Sequence, residues 1–212
     1  MAEHTTTEAT EIATSKVATD PGTGGDLLVE FMREAGVEVA FGVISIHNIP
    51  LIEAVDRELR FVPVRHEASA INAADGYARA TGGIGVAITS TGTGAGNAAG
   101  AMLEALTAGS RVLHVTGNID KKFLGEGRGV YHEVPRQLDM LRSVSRHTLQ
   151  VEKPKQAARV LAEAMRLLDT APTGPVSIDW PIDLQYTADP AKQAPVPDAD
   201  PKILTPGKRE IA

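Results

Sequence analysis

Residues 85–108 read GVAITSTGTGAGNAAGAMLEALTA, and this stretch decides the fold. Its first five residues form a short apolar run, the composition of a strand buried on both faces. Ser90-Thr91-Gly92-Thr93-Gly94-Ala95-Gly96-Asn97 follows as a glycine-rich turn, and residues 95–108, rich in Ala, predict a helix. A strand, a glycine turn and a helix in succession make half of a parallel α/β unit. Exposed amides at such a helix start favour an anion, or a flat ligand that comes close to the backbone.

The same alternation extends both ways. Upstream, the pattern predicts a helix over 26–34 capped by Asp26, a strand over 37–43 and a helix over 49–58 introduced by Asn48 and Pro50. A strand over 60–65 and a helix over 67–81 complete that side. Downstream come a strand over 111–116, a long loop to about Tyr131 and a short helix over 135–141. A segment over 144–151, a helix over 154–169 and a strand over 176–179 follow. The fold class is therefore α/β: a doubly wound, mainly parallel six-stranded sheet with helices on both faces. One domain is expected over 25–186. Residues 1–24, rich in Thr, Ala and Glu, read as a disordered tail. Residues 187–212, with Pro190, Pro195, Pro197, Pro201 and Pro206, read as a linker.

Composition narrows the function. The 212 residues carry 21 Lys+Arg against 27 Asp+Glu, a net charge of −6, which argues against a nucleic-acid binder held by phosphate contacts. With no cysteine there is no disulfide framework, thiolate metal site or thiol nucleophile. No apolar run reaches the roughly 18–20 residues of a membrane span, and residues 1–20 have no apolar signal core, so a cytoplasmic protein without a membrane partner is expected. Aromatics are only 4%, so the core must rest on aliphatic and small residues.

Three motifs carry chemistry. Gly94-Ala95-Gly96-Asn97-Ala98-Ala99 fits the G-x-G-x-x-A dinucleotide fingerprint, but outside the first βαβ unit and without an acidic residue closing the next strand, so NAD binding is a remote alternative. Arg65-His66-Glu67 places a carboxylate at a strand–helix junction. Exposed, it would merely complement the helix dipole; buried, it can share a proton with a ligand. Asp75-Gly76 invites comparison with a metal-binding Gly-Asp-Gly, yet it lies within a helix, and no metal is assigned to it. His114, inside RVLHVT, reads as a core histidine.

The ordered series of motifs resembles a known family. Phe41-Gly42-Val43, Asn48-Ile49-Pro50-Leu51, Arg65-His66-Glu67-Ala68 and Ala74-Asp75-Gly76-Tyr77-Ala78-Arg79-Ala80-Thr81-Gly82 occur in sequence. The turn at 90–97, His114-Val115-Thr116-Gly117 and Gly174-Pro175-Val176 follow. Together they resemble the pyrimidine-binding (PYR) domain of thiamine diphosphate enzymes of the acetolactate synthase group. The resemblance implies that Glu67 hydrogen-bonds the N1′ nitrogen of the aminopyrimidine and so activates the cofactor. It also implies that Gly42, Ile44 and Ser45 on one loop, and Gly92, Thr93 and Asn97 on the turn, lie against that ring. The chemistry would cleave or form a C–C bond on a 2-oxo acid. Ile44-Ser45-Ile46-His47-Asn48 stands where Pro-Gly-Gly usually follows, and Thr93 where proline is typical. Tyr131-His132-Glu133 aligns with a Phe-Gln-Glu segment, making His47 and His132 candidates for substrate contact.

The resemblance further implies that Mg²⁺ and the diphosphate sit on a second domain with a Gly-Asp-Gly…Asn motif, not found in these 212 residues. A diphosphate-binding domain of another subunit or chain is the expected partner. A homo-oligomer is expected through the small-residue faces of helices 67–81 and 95–108. The chain is then a separate subunit of a split enzyme or a fragment of a longer one, with residues 187–212 a linker toward an absent middle domain. The alternative is an orphan PYR domain acting as an interaction or regulatory module, against which the retained Glu67 counts.

Overall fold

A computed structural model describes residues 22–187. Six strands form one sheet in which every pairing is parallel: β1 (Val39–Gly42), β2 (Arg60–Pro63), β3 (Gly85–Thr89), β4 (Val112–Asn118), β5 (His147–Gln150) and β6 (Val176–Pro181), in the spatial order β2-β1-β3-β4-β6-β5. The central strands β3, β4 and β6 are buried at every position, as a sheet covered on both faces requires.

Two hydrophobic layers enclose it. On one face lie α1 (Gly24–Glu34), α2 (Ile49–Glu58) and α6 (Ala157–Asp169), joining Leu28, Met32, Leu51, Val55, Leu161 and Leu168 to sheet residues such as Ile88, Val115 and Ile178. On the other lie α3 (Glu67–Thr81), α4 (Thr93–Ala108) and α5 (Gln137–Val144), where Ala70, Ile71 and Ala74 meet Ala98, Met102 and Ala105. The alanine-rich faces of α3 and α4 are thus spent largely on each other and on the sheet. Their outward sides leave Leu103, Gly96 and Gly100 exposed.

Local differences from the sequence reading have local causes. Thr23, not Asp26, caps α1: its hydroxyl accepts from the Asp26 amide while the Asp26 carboxylate accepts from the Thr23 amide at 2.6 Å, a capping box. Asp26 also pairs with Arg57 of α2. Helix α4 starts at Thr93, two residues before the expected 95, and α5 covers 137–144 rather than 135–141. Pro154–Gln156 forms a 3-10 turn ahead of α6, and the long loop holds another at Lys121–Phe123. A last short helix, α7 (Ile182–Gln185), has no apolar periodicity that could announce it. The expected tail and linker lie outside the described residues, except for Gly22–Gly24 and Thr187, and Gly24 is already helical. Among the described residues no helix is long and apolar enough to cross a membrane.

Candidate active site

In an open parallel sheet, ligands gather beyond the C-terminal strand ends where successive connections leave in opposite directions. Here that point lies between neighbouring β1 and β3, since β1 leads through α2 to one side and β3 through α4 to the other. The loop after β1 and the turn after β3 meet across the crevice. Ser45 Oγ and Ser90 Oγ share a hydrogen bond of 2.7 Å, and the Val43 amide donates to the Ile88 carbonyl. Asn48 shapes the β1 loop from within: its side chain accepts from the Ser45 amide at 2.9 Å and donates to the Val43 carbonyl at 3.0 Å. It heads α2 without a side-chain cap bond, because that side chain is spent inside the loop.

Glu67 is the first residue of α3, after His66, whose ring nitrogen accepts from the Ala68 amide. It is only 7% exposed. Its Oε2 accepts from Asn97 Nδ2 of α4 at 3.0 Å, while a Cβ added at Gly94 would come 2.8 Å from Oε1 and 2.7 Å from Ser90 Cβ. The helix start is thus bare where it passes the carboxylate. Oε2 is held and Oε1 has no hydrogen bond among the described residues, so one oxygen is fixed and the other is free to meet a partner.

Gly92 caps α4 with φ +57°, a conformation natural to glycine, and the His132 carbonyl lies where a side chain would begin. Gly117, at the end of β4, meets the His47 carbonyl in the same way. Both histidines are therefore seated over glycines. His47 is buried, its amide donates to Ser45 Oγ, and its carbonyl accepts from Gln185 Nε2 at 2.9 Å. Its ring lies 5.7 Å from that of His132, which stacks on Tyr131 at 3.8 Å. Nδ1 of each imidazole is buried without a hydrogen-bond partner. Burial, then the neighbouring His132, pushes the His47 imidazole below its usual range, with Asp120 pulling the other way.

The sequence-derived residues divide into groups. Glu67 and Asn97 are hydrogen-bonded, Gly92 opens the helix that carries Asn97, and Ser45 reaches the same turn through Ser90. Gly42 ends β1, and a side chain there would meet the Ile88 carbonyl and Phe61. Thr93 is exposed on the first turn of α4. Ile44, 60% exposed, lines a separate apolar hollow of about 360 Å³ with Ile49, Ile52, Phe61 and Pro63. His114 is a satisfied core group: its ring bonds Thr89 and Ser177, and burial depresses its pKa to about 4. Asp75 is held by Arg79 one turn along α3.

Sequence reasoning missed the polar cluster behind the turn. Gln137 of α5 accepts from the Gly92 amide at 2.7 Å and from Thr91 Oγ1 at 2.9 Å, and donates to Asp179 Oδ1 at 2.6 Å. Asp179 also accepts from Asn118 and Gln150 and has no exposed surface; burial raises its pKa to about 6. One signal was available, an acid near the end of the otherwise apolar run Val176–Pro181. Gln137 gave none, since an amide in an amphipathic helix is unremarkable.

Comparison with known proteins places this geometry in context. The family described as thiamine pyrophosphate enzyme, N-terminal TPP binding domain, matches residues 22–149. Acetolactate synthase 1, chloroplastic, of Nicotiana tabacum is 33% identical over 204 residues, 95% of this chain and 29% of that protein. The probable acetolactate synthase large subunit of Methanocaldococcus jannaschii is 30% identical over 185 residues, 87% of this chain and 30% of its own length. The chain therefore spans under a third of these relatives. In fold it is similar to the thiamine diphosphate-dependent 4-hydroxybenzoylformate decarboxylase of Rhodococcus jostii RHA1, with a TM-score of 0.76 and 20% identity over 82% of this chain and 33% of that one.

Proposed function

The chain belongs to the family of N-terminal TPP binding domains of thiamine pyrophosphate enzymes, and from that premise we propose that it forms the aminopyrimidine-binding half of a thiamine diphosphate site acting on a 2-oxo acid. The observation that carries the reading is Glu67: a buried carboxylate at the mouth of the sheet, one oxygen held by Asn97 and the other beside the bare backbone of Gly94. Gly94 lets the start of α4 pass close against the carboxylate with no side chain between them. Glu67, the Gly92–Asn97 turn and the Gly42–Asn48 loop would hold the aminopyrimidine, with Ser45 fixing the two segments to each other.

When bound, the cofactor supplies a nucleophilic carbon and an electron sink for making or breaking a bond beside a carbonyl. The protein's part is proton handling. Glu67 shares a proton with the ring nitrogen at its open oxygen, and Asn97 keeps the carboxylate from rotating away. His47 and His132, stacked with Tyr131 and each carrying an unpartnered buried nitrogen, support a role in meeting the substrate's polar end. The diphosphate and Mg²⁺ fall to a diphosphate-binding domain outside these 212 residues, supplied by a partner or by the remainder of a longer chain, and turnover requires that domain. The exposed Leu103, Gly96 and Gly100 side of α4 is the surface offered for assembly.

The test is Glu67→Gln in the enzyme assembled with its diphosphate-binding domain. The amide keeps the size and the Asn97 contact but cannot exchange the proton, so turnover falls by about a hundredfold or more while the circular dichroism spectrum is unchanged. Wild-type turnover in this variant removes Glu67 from the mechanism. Calorimetric titration of the assembled wild type with thiamine diphosphate and Mg²⁺ separates this reading from a non-catalytic interaction module, which would give no binding heat.

A further inference from the structure

Behind the turn, Gln137 uses its amide completely. Its oxygen accepts from the Gly92 amide at 2.7 Å and the Thr91 hydroxyl at 2.9 Å, while its nitrogen donates to the Gly117 carbonyl at 3.0 Å and Asp179 Oδ1 at 2.6 Å. The order of these partners is chemically forced. An ionised carboxylate and a carbonyl only accept, so the NH₂ must face Asp179 and Gly117, which leaves the oxygen toward Gly92 and Thr91. Asn118 repeats part of the pattern, donating to both Asp179 oxygens and accepting from the Ile119 amide at 2.8 Å, while its Oδ1 lies 3.2 Å from Thr91 Oγ1 as the alternative acceptor for that single hydroxyl proton. Without these partners the buried Thr91 hydroxyl and Gly92 amide would be left unsatisfied.

We propose that Asp179 and Gln137 are a positioning pair: the buried carboxylate orients the Gln137 amide, and that amide fixes the Gly92 turn whose other side carries Gly94 and Asn97 against Glu67. The pair touches neither ligand nor Glu67; it acts through the turn. Its relevance to catalysis rests on assigning that turn to the cofactor, whereas the coupling from Asp179 to Gly92 stands independently.

Among the described residues no ionised group pairs with the carboxylate. Its hydrogen-bond partners on β4, β5 and α5 are the amides of Asn118, Gln150 and Gln137. Glu133, Arg136, Asp139 and Arg142 line the adjoining cavity of about 240 Å³, which Asn118, Gln137 and Gln150 also border, and both arginines pair with Asp139. Burial therefore sets the titration of Asp179 near pH 6, where the demand on the Gln137 amide changes. The turn should register that event.

Nuclear magnetic resonance on the full 212-residue chain reads it without any cofactor. In the wild type, the Gln137 side-chain NH₂ and Gly92 amide resonances should move together between pH 5 and 7, with a common midpoint at about 6. In Asp179→Asn that movement disappears. In Gln137→Met, Gly92 amide exchange accelerates by about tenfold or more, while the α6 amides keep their protection. A wild-type Gly92 resonance that does not titrate with the Gln137 NH₂, or that titrates unchanged in Asp179→Asn, overturns the proposal. If either variant fails to fold, the paired wild-type titration alone decides. Loss of cofactor binding in the assembled enzyme with this coupling intact would count against the cofactor assignment and leave the pair standing.

Discussion

Glu67, the residue proposed to meet the cofactor, carries little mark of that role in the sequence. A carboxylate opening a helix is ordinary, and its distinction here comes from burial and from the bare backbone of Gly94 opposite it. That close approach is testable. In Gly94→Ala the new methyl would press on both Glu67 Oε1 and Ser90 Cβ, at 2.8 and 2.7 Å. The carboxylate must turn or the helix start must shift. Thermal unfolding should reveal a loss of about 1–3 kcal/mol, and titration of the assembled enzyme should show thiamine diphosphate bound at least about tenfold more weakly. Unchanged affinity would mean that the ring does not approach there. The motif series that suggested the family singled out Glu67, Gly92 and Asn97, and the structure joins Glu67 to Asn97 at the helix start that Gly92 caps. The unpartnered nitrogens of His47 and His132 were not, because they depend on which carbonyl lies over which glycine.

At the level of elements, strands and helices were readable because the sheet is buried on both faces, which yields apolar strand runs separated by amphipathic helices. Boundaries were less so. Asp26 has the right chemistry for a cap, but the competing Thr23 sits three residues earlier and the two satisfy one another's amides. Both readings use the same residue types, and only backbone geometry distinguishes them. Thr23→Ala should cost about 1 kcal/mol in urea unfolding, since it leaves the Asp26 amide without its acceptor. A neutral effect would show that solvent replaces the hydroxyl equally well. The polar cluster of α5 with the ends of β4, β5 and β6 stayed hidden for a different reason. Four side chains from four elements acquire meaning only once the strand order β4-β6-β5 is known.

Across the whole molecule, two buried titratable groups pull stability in opposite directions. His114, with its pKa depressed to about 4, must stay neutral, so the stability it contributes is full above the ordinary histidine value of 6.5 and drains away as pH falls toward 4. Asp179, raised from 3.8 to about 6, favours the folded state most when protonated, and that contribution is lost as pH rises through 6. Each shift corresponds to roughly 3 kcal/mol, and the windows overlap almost fully. The wild type should therefore show a shallow stability profile between pH 4 and 6.5. Asp179→Asn should uncover the His114 slope, its unfolding free energy rising over that interval by denaturant titration. A profile equally shallow in the variant would show that His114 does not supply the opposing slope over this range. The seating of His47 over Gly117 and of His132 over Gly92 has a practical consequence for redesign. Loops exchanged here among relatives should keep both glycine sockets as well as the Asn48 and Ser45 contacts; a graft that fills either socket loses its docking point before any new chemistry can be judged.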